Sequence, residues 1–371
     1  MQKMFLLWLF VVIVTLSISY AEDNRPVRLS VSLTSLYTDN RDSAPKGGEE
    51  DNIDLSIRPR VEIGVDRGDS SLLFTYTPSY RYRTEPREGR DESELLQELI
   101  FDGTYGFSPR SSVRFMDNFY ITDDPEVQKY GTTGQRGSTF LFNNAKAKIV
   151  MAMGPRVSGN LELSHAMKKY DDNEIAKNYD EEGSGAMAGL YFPMSKVMGV
   201  KILAKYDTYD YNNSYGLKRG IDTMAGAAGF DYIVSEQIRS ELRLGWIQAS
   251  YEEETIGDQN APYVDLVFRI RPQPDTQFTI EGGHSIRNSD VFPYPSQEET
   301  RGSVSLDWKV QERLKVDFGG QYRIGSYEFD IDPIPAWIIE TGVKEGDEKK
   351  IILTAGVTFD FGDYTSLRVE I

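Results

Sequence analysis

The sequence predicts an all-β fold, a transmembrane antiparallel up-and-down β-barrel of about 16 strands with short periplasmic turns and long extracellular loops. Three observations predict it. Runs of alternating apolar and polar residues recur from Val27 almost to Ile371. The connections between these runs alternate short and long. The chain contains no cysteine, yet it opens on an export-type leader, so disulfides do not hold it together.

The leader comes first. Lys3 precedes the apolar run Met4-Phe-Leu-Leu-Trp-Leu-Phe-Val-Val-Ile-Val-Thr-Leu16, and Ser19-Tyr20-Ala21 places small residues before Glu22. A cleaved signal peptide is expected over residues 1–21, with 22–26 a short periplasmic N-terminus; an uncleaved anchor is the alternative. Beyond it no stretch approaches the ~18 apolar residues of a membrane helix. The barrel is expected over 27–361, and 362–371 is either a C-terminal tail or a final strand.

The strands follow from period-two alternation, which sends successive side chains to opposite faces. Val304, Leu306, Trp308 and Val310 interleave with Ser303, Ser305, Asp307 and Lys309, and the next run repeats the pattern from Leu314 to Arg323. Strands are expected over 27–37, 53–65, 70–83, 95–107, 112–122, 139–153, 157–168, 184–192, 197–206, 221–234, 238–251, 263–271, 276–286, 302–310, 314–326 and 350–361. If Ala336–Val343 and the residues after Phe361 are also strands, the count rises to about 18.

Short connections rich in turn formers separate alternate pairs of runs: Asp66-Arg-Gly-Asp69, Ser108-Pro-Arg-Ser111, Gly154-Pro-Arg156, Pro193-Met-Ser-Lys196, Ser235-Glu-Gln237, Pro272-Gln-Pro-Asp275 and Gln311-Glu-Arg313. Long connections are expected at 39–52, 84–94, 123–137, 169–183, 207–220, 252–262, 287–301 and 327–349. In outer-membrane barrels the short turns are periplasmic, so the alternation also orients the chain.

The formal net charge is −17, which excludes nucleic acid as a natural partner. Much of the acidic excess falls where long connections are expected: Glu49-Glu-Asp51, Asp91-Glu92, Glu94, Asp171-Asp172, Asp180-Glu-Glu182, Glu252-Glu-Glu254 and Asp347-Glu348. A solvated rim is the simple reading; bridging of divalent cations to lipopolysaccharide is the functional one. No loop has EF-hand spacing, and no metal or cofactor is expected.

Alternation places Leu29, Val31, Leu33, Val61, Ile63, Leu72, Phe74, Tyr76, Val264, Leu266, Phe268, Ile270, Trp308, Phe318, Ile351, Leu353, Val357 and Phe359 on an apolar face. Tyr80, Tyr82, Phe230, Tyr232, Trp246, Phe359 and Phe361 cluster near segment ends, as in an interfacial aromatic girdle. A soluble sandwich core is the alternative, though it would hardly need so many strands.

The opposite face carries the candidate pore-lining residues: Arg58, Arg60, Arg81, Arg83, Arg114, Lys201, Lys205, Arg239, Arg243, Arg269, Arg271, Asp54, Glu62, Asp231 and Glu241. Lys146, Lys148, Lys315, Arg323, Asp102, Glu162, Asp207, Asp265, Glu281, Asp307 and Asp317 share it. Any water-filled lumen needs such a face. The sharper expectation is selectivity: Arg58, Arg60, Arg81 and Arg83 lie on adjacent strands, and basic patches favour anions. Asp54 is expected near Arg81, and Asp231 near Arg239.

Catalysis is not expected. His165 and His284 are the only histidines, both on the apolar side of their strands, and each adjacent serine points the other way. No P-loop, dinucleotide fingerprint or His/Cys cluster is present.

Ser30-Val-Ser-Leu-Thr-Ser-Leu-Tyr-Thr-Asp-Asn40, Ile53-Asp-Leu-Ser-Ile-Arg-Pro-Arg-Val-Glu-Ile63, Leu72-Leu-Phe-Thr-Tyr-Thr-Pro-Ser-Tyr-Arg-Tyr82 and Tyr105-Gly-Phe-Ser-Pro109 resemble the outer-membrane β-barrel porins associated with exopolysaccharide production. The likeness covers about the first quarter of the chain after the leader. Such proteins end on an aromatic residue, whereas this chain ends at Ile371. The resemblance implies assistance in polysaccharide export.

The residues themselves imply a porin-like channel for passive diffusion of small hydrophilic solutes, with weak anion preference. The alternatives are a conduit for an anionic exopolysaccharide and a non-conducting surface barrel whose acidic loops bind partners. The expected partners are outer-membrane lipid and lipopolysaccharide, the barrel-assembly machinery, and small solutes or polysaccharide.

Overall fold

A computed structural model of the chain describes residues 26–38, 52–85, 92–123, 138–212, 218–253, 256–289, 294–328, 345–362 and 365–370. The expected leader lies outside these residues, as do Ala336–Val343 and the acidic positions 49–51, 91 and 254. Among the described residues the chain is all-β apart from one short helix, and its seventeen strands are antiparallel in up-and-down order. They fall into two compact units. The first takes its members from 1–149 and 164–176, the second from 150–163 and 177–371.

The first unit contains β1 (Val27–Thr38), β2 (Asn52–Arg67), β3 (Ser70–Arg83), β4 (Ser93–Ser108) and β5 (Ser111–Thr122). Each pairs with its sequence neighbour, as in Val27↔Ile63, Arg67↔Ser70 and Tyr82↔Ser93. The β2–β3 connection is two residues, and Gly68 enters the left-handed region at φ 61° to make it. In the β4–β5 turn the Arg110 amide donates to the Ser108 hydroxyl. Two further strands, β6 (Phe140–Gly154) and β7 (Val157–Tyr170), contribute residues to both units.

After β7, the Asp172 carboxylate accepts the Glu174 amide and starts α1 (Asn173–Tyr179). The second unit continues through β8 (Glu181–Pro193), β9 (Met198–Tyr211), β10 (Ile221–Ser235), β11 (Ile238–Tyr251), β12 (Gln259–Gln273), β13 (Thr276–Asn288), β14 (Ser296–Gln311), β15 (Leu314–Glu328), β16 (Glu345–Gly362) and β17 (Thr365–Glu370). Pairing again joins neighbours in order, from β8 with β9 to β16 with β17. The residues after Phe361 therefore form a strand: Phe359 pairs with Leu367 and Val357 with Val369.

All the expected strands are present, but many run further toward the long connections than expected. β13 continues to Asn288 and β14 begins at Ser296, so Arg287, Glu299 and Arg301 are strand residues. Likewise Glu94 lies in β4, Glu181 and Glu182 in β8, and Asp347 and Glu348 in β16. Both faces of these extensions are polar. A strand leaving an apolar layer for water loses its period-two contrast while keeping its backbone hydrogen bonds, so hydropathy stops short of the ladder.

The two faces invert the usual soluble pattern. Leu29 and Leu33 of β1 are 74% and 79% exposed, and Leu353 of β16 is 75% exposed. Thr75, Thr77 and Ser79 on the opposite face of β3 are buried, as is Glu299 of β14. The exposed side also presents Tyr80, Tyr82, Phe230, Tyr232, Trp246 and Phe359, the expected girdle residues whose side chains are described. On the polar side of the second unit, Ile221, Ala225, Ile247, Ala249, Ala261 and Ile286 form a buried cluster with Tyr209, Tyr251 and Tyr263 against it. The strands approach closely here: a Cβ on Gly245 would fall on the Gly226 carbonyl oxygen and 2.6 Å from the Ala227 Cα.

Candidate functional site

In the first unit, register decides which charges meet. Asp54 is directly opposite Arg83, and Arg81 is opposite Glu94. The Arg83 guanidinium reaches Glu94 at 2.8 Å, Asp123 at 2.5 Å and Asp54 at 3.9 Å. Arg81 reaches Asp123 at 2.6 Å and Asp54 at 3.8 Å. The Thr139 hydroxyl donates to the Glu94 carboxylate, tying the start of β6 to this group.

Further along the same face Arg58 pairs with Glu98 at 3.3 Å, Arg60 with Glu62 at 2.8 Å, and Arg28 with Glu62 at 3.3 Å. Arg114 holds Asp102 through two guanidinium nitrogens at 2.8 and 2.5 Å. Of the expected selectivity residues, Arg81 and Arg83 are brought together on Asp54 and Asp123, while Arg58 pairs separately with Glu98 and Arg60 with Glu62, so each is matched by carboxylates. Glu94, Glu98 and Asp123 are not legible as partners in the sequence, because they lie at strand ends or among polar neighbours of similar character.

In the second unit, Glu241 is the hub of a strand-to-strand network. It accepts Arg269 at 2.8 Å and Arg243 at 2.9 Å, with Lys201 at 3.6 Å. Arg243 also reaches Asp265 at 2.5 Å, directly across the ladder, and Lys201 reaches Asp231 at 2.5 Å. The neighbour expected for Asp231 is Arg239. Its ion-pair partner is instead Lys201, because Asp231 stands opposite Glu241 on one side and beside β9 on the other. Arg239 lies opposite Arg269, and the Arg271 guanidinium donates to the Gln277 side-chain carbonyl at 2.7 Å.

Toward the long connections a second hub appears that the sequence does not disclose. The Glu299 side chain is withdrawn from solvent and faces Arg287 at 3.2 Å, Arg301 at 3.3 Å and Arg323 at 3.4 Å. Glu181 stands near the same group, its carboxylate accepting the Asn288 side-chain amide at 3.3 Å. Beside it a cavity of about 120 Å³ is lined by Lys205, Asp207, Tyr209, Tyr263, Arg287 and Arg301 among others. The Lys205 ammonium lies 2.6 Å from the Asp207 carboxylate.

At the same end Arg219 bridges neighbouring segments. Its guanidinium donates to the carbonyls of Ser289 and Tyr294 at 3.2 and 3.0 Å and lies 4.2 Å from the Tyr211 ring centroid. Tyr294 in turn packs on Tyr327 with ring centroids 5.1 Å apart, and burial pushes its phenol pKa up. In the sequence Arg219 falls within an expected connection; only its contacts reveal its role.

His284 contacts Thr300 and Glu298 at 2.8 and 3.1 Å, on the side of its strand away from Ser285 and Glu299. No Ser–His contact arises there. Among the described residues no group of three or more His, Asp or Glu side chains is arranged to hold a metal ion, and no helix is long and apolar enough to cross a membrane.

No family model matches the chain, and no curated protein matches it. Solved structures similar to it include the FrpB iron transporter from Neisseria meningitidis (F5-1 variant), at 8% identity and TM-score 0.45 over 92% of this chain and 61% of that one. The ferric preacinetobactin receptor BauA from Acinetobacter baumannii is similar at 11% identity and TM-score 0.44, over 93% and 61%. The copper transporter OprC is similar at 10% identity and TM-score 0.42, over 93% and 60%. The chain therefore spans about three fifths of the length of these structures.

Proposed function

We propose that this chain is an outer-membrane β-barrel whose polar face lines a water-filled path for small hydrophilic solutes. The observation that carries the reading is the inversion of the two faces: large apolar side chains such as Leu33 and Leu353 stand exposed while ion-paired charges occupy the other side. A sheet in water has no reason to expose so many apolar side chains. A sheet with lipid on one face and water on the other requires them.

The charges of the path are balanced rather than one-signed. Arg58, Arg60, Arg81 and Arg83 face Asp54, Glu62, Glu94, Glu98 and Asp123, so the first unit supplies little anion preference. The gathering of Arg287, Arg301 and Arg323 around Glu299 is where a weak preference for anions would arise. The buried cluster of Ile221, Ile247 and Ala261, with the Arg219 contacts nearby, would narrow such a path at the same end. That points to restricted passage of small solutes. An export conduit for an anionic polysaccharide, which the family resemblance implies, would call for a continuous basic track.

Planar-bilayer recording of the purified full chain tests the proposal. Discrete conductance steps with modest anion preference are expected. Silence across independently refolded, membrane-inserted preparations would overturn it. Loss of surface polysaccharide on deletion of the gene, with unchanged solute uptake, would favour the conduit.

A further inference from the structure

We infer that β2 and β3 form a lateral gate, a seam in the wall through which an apolar solute passes between the polar face and the membrane. The gate rests on the membrane reading of the exposed face and adds a sideways route to it. The strand register locates the seam. Ile57 pairs with Tyr80 and Val61 with Tyr76, in one continuous register. Between these pairs Arg58, Pro59 and Arg60 stand opposite Ser79, Pro78 and Thr77, and no ladder pairing joins them. The register thus sets the two prolines directly opposite each other.

Backbone chemistry explains the break. In an antiparallel ladder the N–H and C=O of one residue face one neighbouring strand, and those of the next residue face the other. Pro59 keeps its place opposite Val31 of β1, and Pro78 opposite Gln97 of β4. The Ser32 hydroxyl of β1 donates to the Arg58 carbonyl at 3.5 Å, so Arg58 turns its main chain to β1 and Pro59 turns its own to β3. Each proline lacks the N–H that this position requires. Two ladder bonds are lost at one point, and the Pro59 and Pro78 carbonyls face the gap with no N–H directly opposite. Strand prolines otherwise belong at edges and bulges. Pro262 acts alike at a ladder end: it pairs with Trp246, and the pairing of β12 with β13 stops short of it at Val264↔His284.

Side chains supply a latch. Arg58 of β2 reaches across β3 to Glu98 of β4 at 3.3 Å. Both partners are partly exposed, so the pair is weak and easily broken. Arg60 adds no crossing, because its partner Glu62 lies on its own strand. Thr77 stands opposite Glu98 and is buried on the polar face, its hydroxyl oxygen without a hydrogen-bond partner. On the other face Ile57, Pro59 and Tyr80 are exposed. A wall in lipid must satisfy its main chain within itself. At Pro59 and Pro78 it cannot, so the strands part most readily there.

The chain has no cysteine, so single introduced cysteines report on the seam. The full chain is inserted into phosphatidylcholine vesicles and treated with N-(1-pyrenyl)maleimide dissolved in the lipid. Thr77→Cys probes the seam and Leu353→Cys the exposed apolar face. Ala227→Cys is the control, buried on the polar side of β10 between intact pairings to Leu203 and Gly245. Leu353→Cys should react fast, and Thr77→Cys at least about tenfold faster than Ala227→Cys. Pro59→Val with Pro78→Val restores both N–H groups and should slow the Thr77→Cys reaction about tenfold. Arg58→Ala, which frees the latch and leaves the ladder alone, should speed it. Heat-modifiable electrophoretic mobility verifies that each variant has folded. If Leu353→Cys reacts fast but Thr77→Cys is no faster than Ala227→Cys, the gate is overturned and the membrane reading stands. A Thr77→Cys rate that neither the valines nor Arg58→Ala changes also overturns the gate. An unlabelled Leu353→Cys overturns the membrane reading and the gate with it.

Discussion

The Glu299 carboxylate of β14 lies 3.4 Å from the Arg323 guanidinium of β15, and both side chains are withdrawn from solvent. Arg287 and Arg301 complete the group. Removing the carboxylate leaves three like charges facing one another without their common partner. Glu299→Ala should destabilise the folded chain by about 3–5 kcal/mol, the usual consequence of breaking a buried ion pair from one side. Urea unfolding followed by circular dichroism reads this directly, and an unchanged midpoint would show that the group is not structural.

Close backbone approach makes a second prediction. Because a Cβ on Gly245 meets main-chain atoms of Gly226 and Ala227, the neighbouring strand must move to admit it. Gly245→Ala should cost about 1–3 kcal/mol. A Cβ on Gly226 would meet nothing within 4 Å, so Gly226→Ala should be close to neutral in the same assay.

The lipid reading of the exposed face is open to direct challenge. Leu353→Arg places a charge where 75% of a leucine is exposed. In lipid it should cost about 2–4 kcal/mol of folding free energy near the midplane. In a water-facing sheet it would cost almost nothing. Folding titrations into phosphatidylcholine vesicles separate the two.

Charge balance in the first unit gives an electrical prediction. Replacing Arg58, Arg60, Arg81 and Arg83 by Ala strips the cations and leaves Asp54, Glu62, Glu94, Glu98 and Asp123 behind. The bilayer reversal potential under a salt gradient should shift toward cation selectivity. An unaltered potential would remove this group from the conducting path.

Arg219 ties the ends of β10, β13 and β14 together through the carbonyls of Ser289 and Tyr294. Arg219→Met keeps much of the volume and loses both bonds. Thermal stability should fall by about 1–3 kcal/mol equivalent. Single-channel conductance should rise as the narrowed end loosens. A less stable variant with unchanged conductance would confine Arg219 to a structural role.

The sequence by itself determined the all-β class, the up-and-down order, the short turns, and which residues share the polar face. These follow from local rules: side chains alternate along a strand, and turn residues such as Gly68 mark reversals. What only the tertiary structure decided was which charges meet. Asp231 finds Lys201 rather than Arg239, and Glu299 gathers Arg287, Arg301 and Arg323, because pairing depends on the register between strands and on the diagonal reach of long side chains. Hydropathy also ends β13 too early and starts β14 too late. Their extensions are polar on both faces, and backbone hydrogen bonding, which continues there, leaves no trace in a side-chain pattern.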